Sequence, residues 1–112
     1  MQGFLLKTLS DISPVSTSHG IGQKQVLLSK EETDSCVTQI AKSSLKSGEK
    51  VEDHVHQTMD EHYLSLDGKG YLFVNDQQLV FEPGTYVLVK AGNRHHLEAE
   101  SDIGFLTIGI AV

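Results

Sequence analysis

The chain has 112 residues and a formal net charge of −6, with 38% hydrophobic and 21% charged residues. That length predicts one domain over residues 1–112, and the composition is typical of a folded globular protein rather than a disordered one. The nine basic residues, of which one is arginine, do not supply the clustered positive charge that nucleic acid or an anionic membrane surface requires. We therefore expect neither nucleic acid nor a membrane as a partner.

The N-terminal stretch and the cysteine content favour a cytoplasmic location. The apolar stretch after Met1 is too short for a secretory signal peptide and lacks a basic leader. No apolar run approaches the length of a membrane-spanning helix. The single cysteine, Cys36, cannot form an internal disulfide, and we expect it to be a buried and unreactive thiol within a strand.

Turn-forming dipeptides divide the chain into short segments that are rich in β-branched and aromatic residues. Pairs such as Asp67-Gly68 and Pro83-Gly84 predict turns, because Gly tolerates positive φ and Pro fixes φ. Turn signals roughly every 8–12 residues between short strands are typical of an all-β sandwich or barrel. The segments between the turns predict these strands: Gln25–Ser29, Asp34–Ala41, Val51–Gln57, Glu61–Leu66, Gly70–Asn75, Leu79–Glu82, Thr85–Val89, His95–Ala99 and Ile103–Val112.

The two ends of the chain differ in character. Residues 1–24 predict an irregular segment, because Ser10–Gly22 is polar and contains Pro14 and two glycines. We expect His19, within that segment, to be solvated unless the segment folds over the mouth of a barrel. By contrast, Ile103–Val112 is apolar on both alternating faces, which predicts a strand in the core or in an oligomer interface.

Four residues near predicted strand ends form a candidate metal-binding set. His54 and His56 are separated by one residue on a predicted strand, so both side chains point to the same face. Glu61 opens the next predicted strand, and His95 opens a later one. Three imidazoles and one carboxylate are a plausible ligand set for a divalent metal, because imidazole suits Zn, Cu, Fe and Ni.

The spacing of these residues resembles that of the two cupin motifs, over residues 48–99. Residues at the intervals of the first motif are Gly48, His54, His56, Glu61 and Gly68. Residues at the intervals of the second are Gly84, Gly92 and His95. The second motif departs from the family pattern at Lys90, where Pro is usual, and at Ala99, where Asn is frequent. Neither of these positions supplies a metal ligand in the family.

The resemblance implies a fold and a cofactor. The fold would be a small, single antiparallel jelly-roll barrel, the cupin barrel, with His54, His56, Glu61 and His95 as inward-pointing metal ligands. The cofactor would be one divalent transition metal, which in this family is Fe, Mn, Ni, Zn, Co or Cu. Coordination positions left for water or a substrate are typical of catalytic metal sites, whereas structural zinc sites are closed.

Two main classes of function remain open, beside a storage or scaffold role that a chain of 112 residues supports less well. In the first, the chain is a metal-dependent enzyme that acts on a small molecule in the barrel cavity. The reaction would be that of a dioxygenase, or of an isomerase, epimerase or lyase on a sugar or keto acid. In the second, the chain is a non-catalytic module that binds a metal or a metabolite. No general base stands out beyond the four candidate ligands, so the catalytic residues are unassigned.

Strand alternation also predicts where the neighbours of the candidate ligands point. His62 and His96 each adjoin a candidate ligand, so we expect them on the opposite face and not at the metal. Tyr63 and Ser65 share the face of Glu61, where they either support the ligands or fill the core. One of Thr38 and Gln39 must face inward, and the sequence does not fix which.

The remaining predictions concern the surface. Leu64 and Leu66 lie on the strand face opposite Glu61, and an apolar face of a single-layer barrel is exposed unless something covers it. Together with the apolar C-terminal strand, these residues predict a homodimer. We expect Arg94, in the loop before His95, to be solvated. The strand aromatics are expected to pack in the core: Tyr71, Phe73, Phe81 and Tyr86.

Overall fold

A computed structural model of the chain describes residues 3–112 as a nearly all-β structure. The strands are β1 (Val15–Ser16), β2 (Gln23–Ser29), β3 (Val37–Leu45), β4 (Met59–Asp67), β5 (Gly70–Val74), β6 (Gln77–Phe81), β7 (Tyr86–Val89), β8 (His95–Ala99) and β9 (Ile103–Ala111). Two short 3-10 helices, Leu9–Asp11 and Lys30–Glu32, lie in the N-terminal third. Within residues 3–112, no helix is long and apolar enough to cross a membrane.

The strands form two antiparallel sheets. The larger sheet has six strands in the order β1-β2-β3-β9-β4-β7, and the smaller has three in the order β6-β5-β8. The C-terminal strand β9 lies between β3 and β4 in the larger sheet. The side chains of Ile103 and Phe105 on β9 are buried in the core, whereas Leu106 and Ile108 face outward and are only partly buried.

The hydrophobic core lies between the two sheets and is built around aromatic side chains. Phe81 is fully buried, and its ring meets the ring of Phe105 edge-on at 5.8 Å. Tyr63 approaches Phe81 in the same manner at 6.3 Å, which is a favourable arrangement for aromatic pairs. The other buried members of this cluster are Leu45, Val51, Leu72, Val89, Leu97, Ala99 and Ile103.

The predicted strand Val51–Gln57 is wrong, because this segment makes only isolated bridges with β8. Lys50 pairs with Glu98 and His54 pairs with His95. Three residues therefore lie between the two bridges on one side and two on the other. The extra residue breaks the hydrogen-bond ladder in the manner of a β-bulge. The other predicted strands are present, with ends that differ from the predicted ones by up to four residues.

Three further expectations are corrected by the structure. The segment predicted to be irregular contains a 3-10 turn and β1, and β2 already begins at Gln23; Met1 and Gln2 lie outside the described residues. Cys36 is exposed rather than buried, because β3 begins one residue after it. Tyr86 is 56% exposed, since it points away from the core on β7.

The core predicts a large loss of stability on truncation of Phe81. Phe81→Ala should lower the free energy of unfolding by about 3–5 kcal/mol, because it removes a fully buried ring and leaves a cavity. Urea denaturation of both proteins measures the difference. Val80→Ala is the matched control, since Val80 precedes Phe81 on β6 and is 48% exposed. Equal effects of the two substitutions would contradict the placement of the core.

Candidate metal centre

Three histidines and one glutamate come together between the two sheets. His54 and His56 lie in the segment before β4, Glu61 lies on β4, and His95 is the first residue of β8. One ligand atom from each of the four lies within 4.8 Å of the others. The structure therefore brings together all four residues that the sequence analysis selected.

Backbone hydrogen bonds fix the segments that carry the histidines. The amide of His54 donates to the carbonyl of His95, and the amide of His95 donates back, each at 3.0 Å. The amide of Gly92 donates to the carbonyl of His56 at 2.8 Å. These bonds hold the irregular segment against the start of β8, so the three imidazoles keep their relative positions although His54 and His56 lie outside a strand.

The hydrogen bonds of two imidazoles set their tautomers. Nδ1 of His54 lies 3.0 Å from the carbonyl oxygen of Glu52, and Nδ1 of His95 lies 3.0 Å from that of Asn93. A carbonyl oxygen only accepts, so each Nδ1 must carry the proton and donate. In a neutral imidazole, Nε2 then presents a lone pair, which is the form that a metal ligand requires.

Glu61 faces two imidazole nitrogens through one carboxylate oxygen. Oε1 lies 3.3 Å from Nε2 of His56 and 3.2 Å from Nε2 of His95, and the hydroxyl of Tyr63 donates to it at 2.5 Å. Two acceptors this close need a positive charge between them, which is either a proton or a metal cation. His95 is 1% exposed, and burying a charged imidazole is costly. The donor set therefore fits a divalent metal ion.

The same contacts shift the pKa values of the site. Burial acts to raise the pKa of the Glu61 carboxyl, but its close contacts with His56, His95 and Tyr63 outweigh burial and hold that pKa well below its usual range. The hydrogen bond to Glu61 raises the pKa of His56. Burial lowers the pKa of His54. In the absence of a cation, Glu61 is thus ionised, and His56 is the histidine whose charged form it stabilises.

A cavity of about 250 Å³ is lined by three of the four residues, His54, His56 and Glu61. Its walls include Met59 and Thr107 from the larger sheet, and Tyr63 lies where the cavity meets the aromatic core. Pockets for drug-sized ligands usually exceed about 300 Å³, so this cavity is suited to a small metabolite. The site is thus open to a ligand from the cavity side.

The N-terminal segment contributes His19 to the cavity. The ring of His19 lies 5.0 Å from that of His54, although much of the side chain remains exposed. A turn closed by the hydrogen bond from Thr17 to the carbonyl of Ile21 holds it there. Gly22, at φ +80°, follows this turn, and a β-carbon there would collide with the carbonyl of Ser44. The segment therefore folds over the cavity. The sequence analysis expected a solvated His19 unless this segment covered the barrel mouth, and the structure shows the second arrangement.

Strands β2 and β3 supply cavity residues that the sequence analysis missed or left open. Both Thr38 and Gln39 line the cavity, because a bulge between Val37 and Gln39 interrupts the alternation of β3. Lys24 also lines the cavity and was not selected. The signal was present in the sequence, since Lys24 is two residues before the apolar Val26 on the same strand and so shares its face.

Other side chains near the candidate ligands take structural positions. Tyr63 supports Glu61 directly through its hydroxyl. Ser65 is 1% exposed, does not line the cavity, and its hydroxyl has no hydrogen-bond partner among the described residues. Arg94 is exposed, as expected, and Lys90 is exposed as well.

His62 and His96 point away from the four candidate ligands. His62 lies on the outer face of the larger sheet, where Nδ1 is 2.6 Å from the hydroxyl of Tyr86. The ring of His96 stacks on Phe73 at 4.5 Å, and its nitrogens face the carboxylates of Asp53 and Glu98. Neither histidine belongs to the cluster around Glu61.

Fold and site together define an antiparallel β protein with a candidate three-histidine, one-glutamate metal centre. The family model for the cupin domain matches residues 42–108, which is more than half of the chain. The chain therefore belongs to the cupin domain family, which confirms the resemblance of its motifs. No curated protein sequence matches this chain significantly.

Solved structures share the fold over nearly the whole chain. A predicted oxalate decarboxylase from Thermotoga maritima has a TM-score of 0.88 and 26% identity, over 96% of this chain and 100% of that one. Ectoine synthase from P. lautus has a TM-score of 0.83 and 16% identity, over 96% and 78%. KdgF from a Halomonas species has a TM-score of 0.74 and 12% identity, over 91% and 87%. The last two show similarity of fold alone.

The contacts of Glu61 predict an effect of Tyr63→Phe on its titration. Removing the hydroxyl removes one of the hydrogen bonds that lower the pKa of Glu61, so that pKa should rise towards its usual value. Because a lowered pKa gives stability that is lost as pH falls from the unfolded-state pKa to the folded-state pKa, this loss should become smaller and should end at a higher pH. Carbon-13 NMR titration of the metal-free protein measures the carboxyl pKa. Tyr71→Phe is the control, and an unchanged Glu61 pKa in Tyr63→Phe would contradict the hydrogen bond.

Proposed function

We propose that this chain is a single jelly-roll barrel that binds one divalent transition metal through His54, His56, Glu61 and His95. It acts as a metal-dependent enzyme on a small molecule held in the adjacent cavity. The observation that carries this proposal is the convergence of four ligand atoms within 4.8 Å of one another beside that cavity.

The chemistry of the donor set supports a transition metal. Three imidazoles favour Zn, Cu, Fe or Ni over the hard cations Mg and Ca, which prefer oxygen ligands. The single carboxylate, Glu61, offsets one of the two positive charges of such an ion. The backbone carbonyls that accept from Nδ1 of His54 and His95 keep these two imidazoles oriented and their Nε2 lone pairs available.

The cavity beside the ligands supports a catalytic role. Four protein donors leave positions for water or substrate on an ion that takes five or six ligands. A bound divalent metal would polarise a substrate oxygen as a Lewis acid and, if redox-active, would also support oxygen chemistry. The description of the Thermotoga structure as a predicted oxalate decarboxylase adds support for an enzyme over a purely binding module.

Two further side chains serve this function from the cavity wall. Burial lowers the pKa of His19, so its imidazole is neutral near pH 7 and able to accept a proton from a molecule in the cavity. Burial also raises the pKa of Tyr63 well above its usual value. Tyr63 therefore stays protonated and continues to donate to Glu61, which makes it a positioning residue.

Metal content tests the proposal directly. Chelator-free wild-type protein should contain about one transition metal per chain, and His95→Ala should lose most of it, because a ligand is removed. Plasma mass spectrometry measures the content. His96→Ala is the matched control, since the adjacent ring points away from the cluster. Glu61→Gln serves as a second ligand variant if His95→Ala does not fold.

Two outcomes would contradict the metal site. One is an equal loss of metal in His95→Ala and His96→Ala. The other is a wild-type protein that takes up no metal from Fe(II), Mn, Zn, Ni or Cu. The identity of the bound metal then directs the search for turnover, because Fe(II) favours oxygen chemistry and Zn favours Lewis-acid chemistry.

We also propose that a second copy of the chain covers the outer face of the larger sheet. Neighbouring strands align two rows of mostly apolar residues there: Leu64 lies opposite both Tyr86 and Leu106, and the polar His62 lies opposite both Leu88 and Ile108. Tyr86 is 56% exposed and Leu88 is 37% exposed. The pattern extends across three adjacent strands, and an apolar face of this kind is typical of an interaction surface.

Light scattering tests this dimer. The wild-type protein should have twice the 12.3 kDa mass of the chain, and Leu88→Lys should shift it to the monomer by placing a charge in the interface. Val80→Lys is the control, because Val80 is similarly exposed but lies on β6 in the other sheet. A wild-type monomer, or a Leu88→Lys dimer of unchanged affinity, would overturn the proposal.

A further inference from the structure

Lys24 points towards the cavity rather than to solvent. On β2 it pairs with Ser43 of β3, whose side chain is 8% exposed and lines the cavity. Residues directly opposite in an antiparallel pair project to the same face, so Lys24 shares this inward direction. Its side chain also lines the cavity. An inward lysine is unusual, because lysine is almost never buried without a partner.

The ammonium group of Lys24 has a neutral partner only. Its Nζ donates to Oε1 of Gln39 at 3.3 Å. Lys7, Lys50 and Lys69 each pair with a glutamate, but within residues 3–112 no carboxylate lies within ion-pair distance of Lys24. The acidic residue in the cavity wall is Glu61, whose Oε1 is occupied by His56, His95 and Tyr63. The charge of Lys24 therefore remains available to a ligand.

Gln39 completes a pair of donors. Its Oε1 accepts from Lys24, so its amide NH₂ group keeps two hydrogens to donate. The hydroxyls of Thr38 and Thr107 line the same cavity. A charged donor beside a neutral amide donor matches the two oxygens of a carboxylate, and hydrogen bonds to charged groups are the strong ones.

We propose that Lys24 and Gln39 form an anion subsite that holds a carboxylate of the substrate, while another oxygen group of the same molecule faces the metal centre. The substrate class is then a small carboxylic acid with a second oxygen function, such as a dicarboxylic or hydroxy acid. This deepens the proposed function and rests on it for the metal contact. One lysine charge matches a carboxylate better than a phosphate ester, which carries nearly two charges at neutral pH.

Binding of small acids to the metal-loaded protein tests the subsite. Calorimetric titration would use oxalate, malonate and succinate, with malonamide as the uncharged comparison and glycerol phosphate as the phosphate. At least one dicarboxylate should bind, and Lys24→Met should weaken that binding about tenfold or more, the usual effect of losing a charge-assisted hydrogen bond. Lys24→Arg should retain part of the affinity, because it keeps the charge.

Lys42→Met is the matched control. Lys42 pairs with Leu106 and alternates with the inward Ala41 and Ser43, so it lies on the outer face of the same sheet. Its loss removes the same charge without touching the cavity, and the affinity should not change. Metal content, measured for each variant, should equal that of the wild type, because none of these lysines contacts a candidate ligand.

The outcomes separate this proposal from the proposed function. Equal affinities in Lys24→Met and Lys42→Met, no binding of any acid, or tighter binding of glycerol phosphate than of the dicarboxylates would each overturn the carboxylate subsite. A wild-type protein without metal would overturn the proposed function instead. NMR titration of the same acids into metal-free protein then tests the subsite by itself. Chemical-shift changes at Gln39 that are lost in Lys24→Met would support the subsite. Changes of the same size in wild type and Lys24→Met would refute it.

Discussion

The placement of one carboxylate oxygen against two imidazole nitrogens determines the rest of the site. Oε1 of Glu61 and Nε2 of His95 both carry lone pairs when the imidazole is neutral, and they lie 3.2 Å apart. Such an arrangement is stable only with a positive charge between the two atoms. The fold maintains it through bonds outside the cluster: the Tyr63 hydroxyl holds Glu61, and the carbonyl of Asn93 holds His95. The contact is thus imposed by the scaffold.

The inward face of the larger sheet changes character along its length, and this change creates both a core and a cavity. On β9, Ile103 and Phe105 are buried in the core, whereas Thr107 and Gly109 line the cavity. Gly109 lies opposite Glu61, and a β-carbon there would collide with Thr38 and Met59. The space beside the candidate metal centre therefore depends on Gly109 having no side chain. The buried aromatic residues at the other end of the sheet stabilise the fold.

The sequence predicted most of the strands and all four members of the cluster, because both depend on local periodicity and spacing. The sequence did not predict the features that depend on how neighbouring strands pair. Strand alternation assumes an unbroken ladder, and the ladder is broken by an extra residue between Lys50 and His54 and by the bulge near Gln39. His54 and His56 still converge, since backbone hydrogen bonds hold His54 to His95 on β8 and His56 to Gly92 in the loop before it. The expected burial of Cys36 and Tyr86 was wrong. Burial of Cys36 depends on where β3 begins, and burial of Tyr86 depends on which face of the sheet is covered.

The electrostatics of the cavity connect the fold to the choice of substrate. A chain with a net charge of −6 would, on average, repel small anions. Within the cavity the balance is reversed, because the one carboxylate of the wall is engaged by its neighbours and Lys24 has no counter-charge among the described residues. A divalent ion at the cluster would add to this positive potential. The interior is thus complementary to an anion that the outer surface does not attract, and the proposed selectivity for small acids would arise from the few side chains that β2 and β3 direct inward.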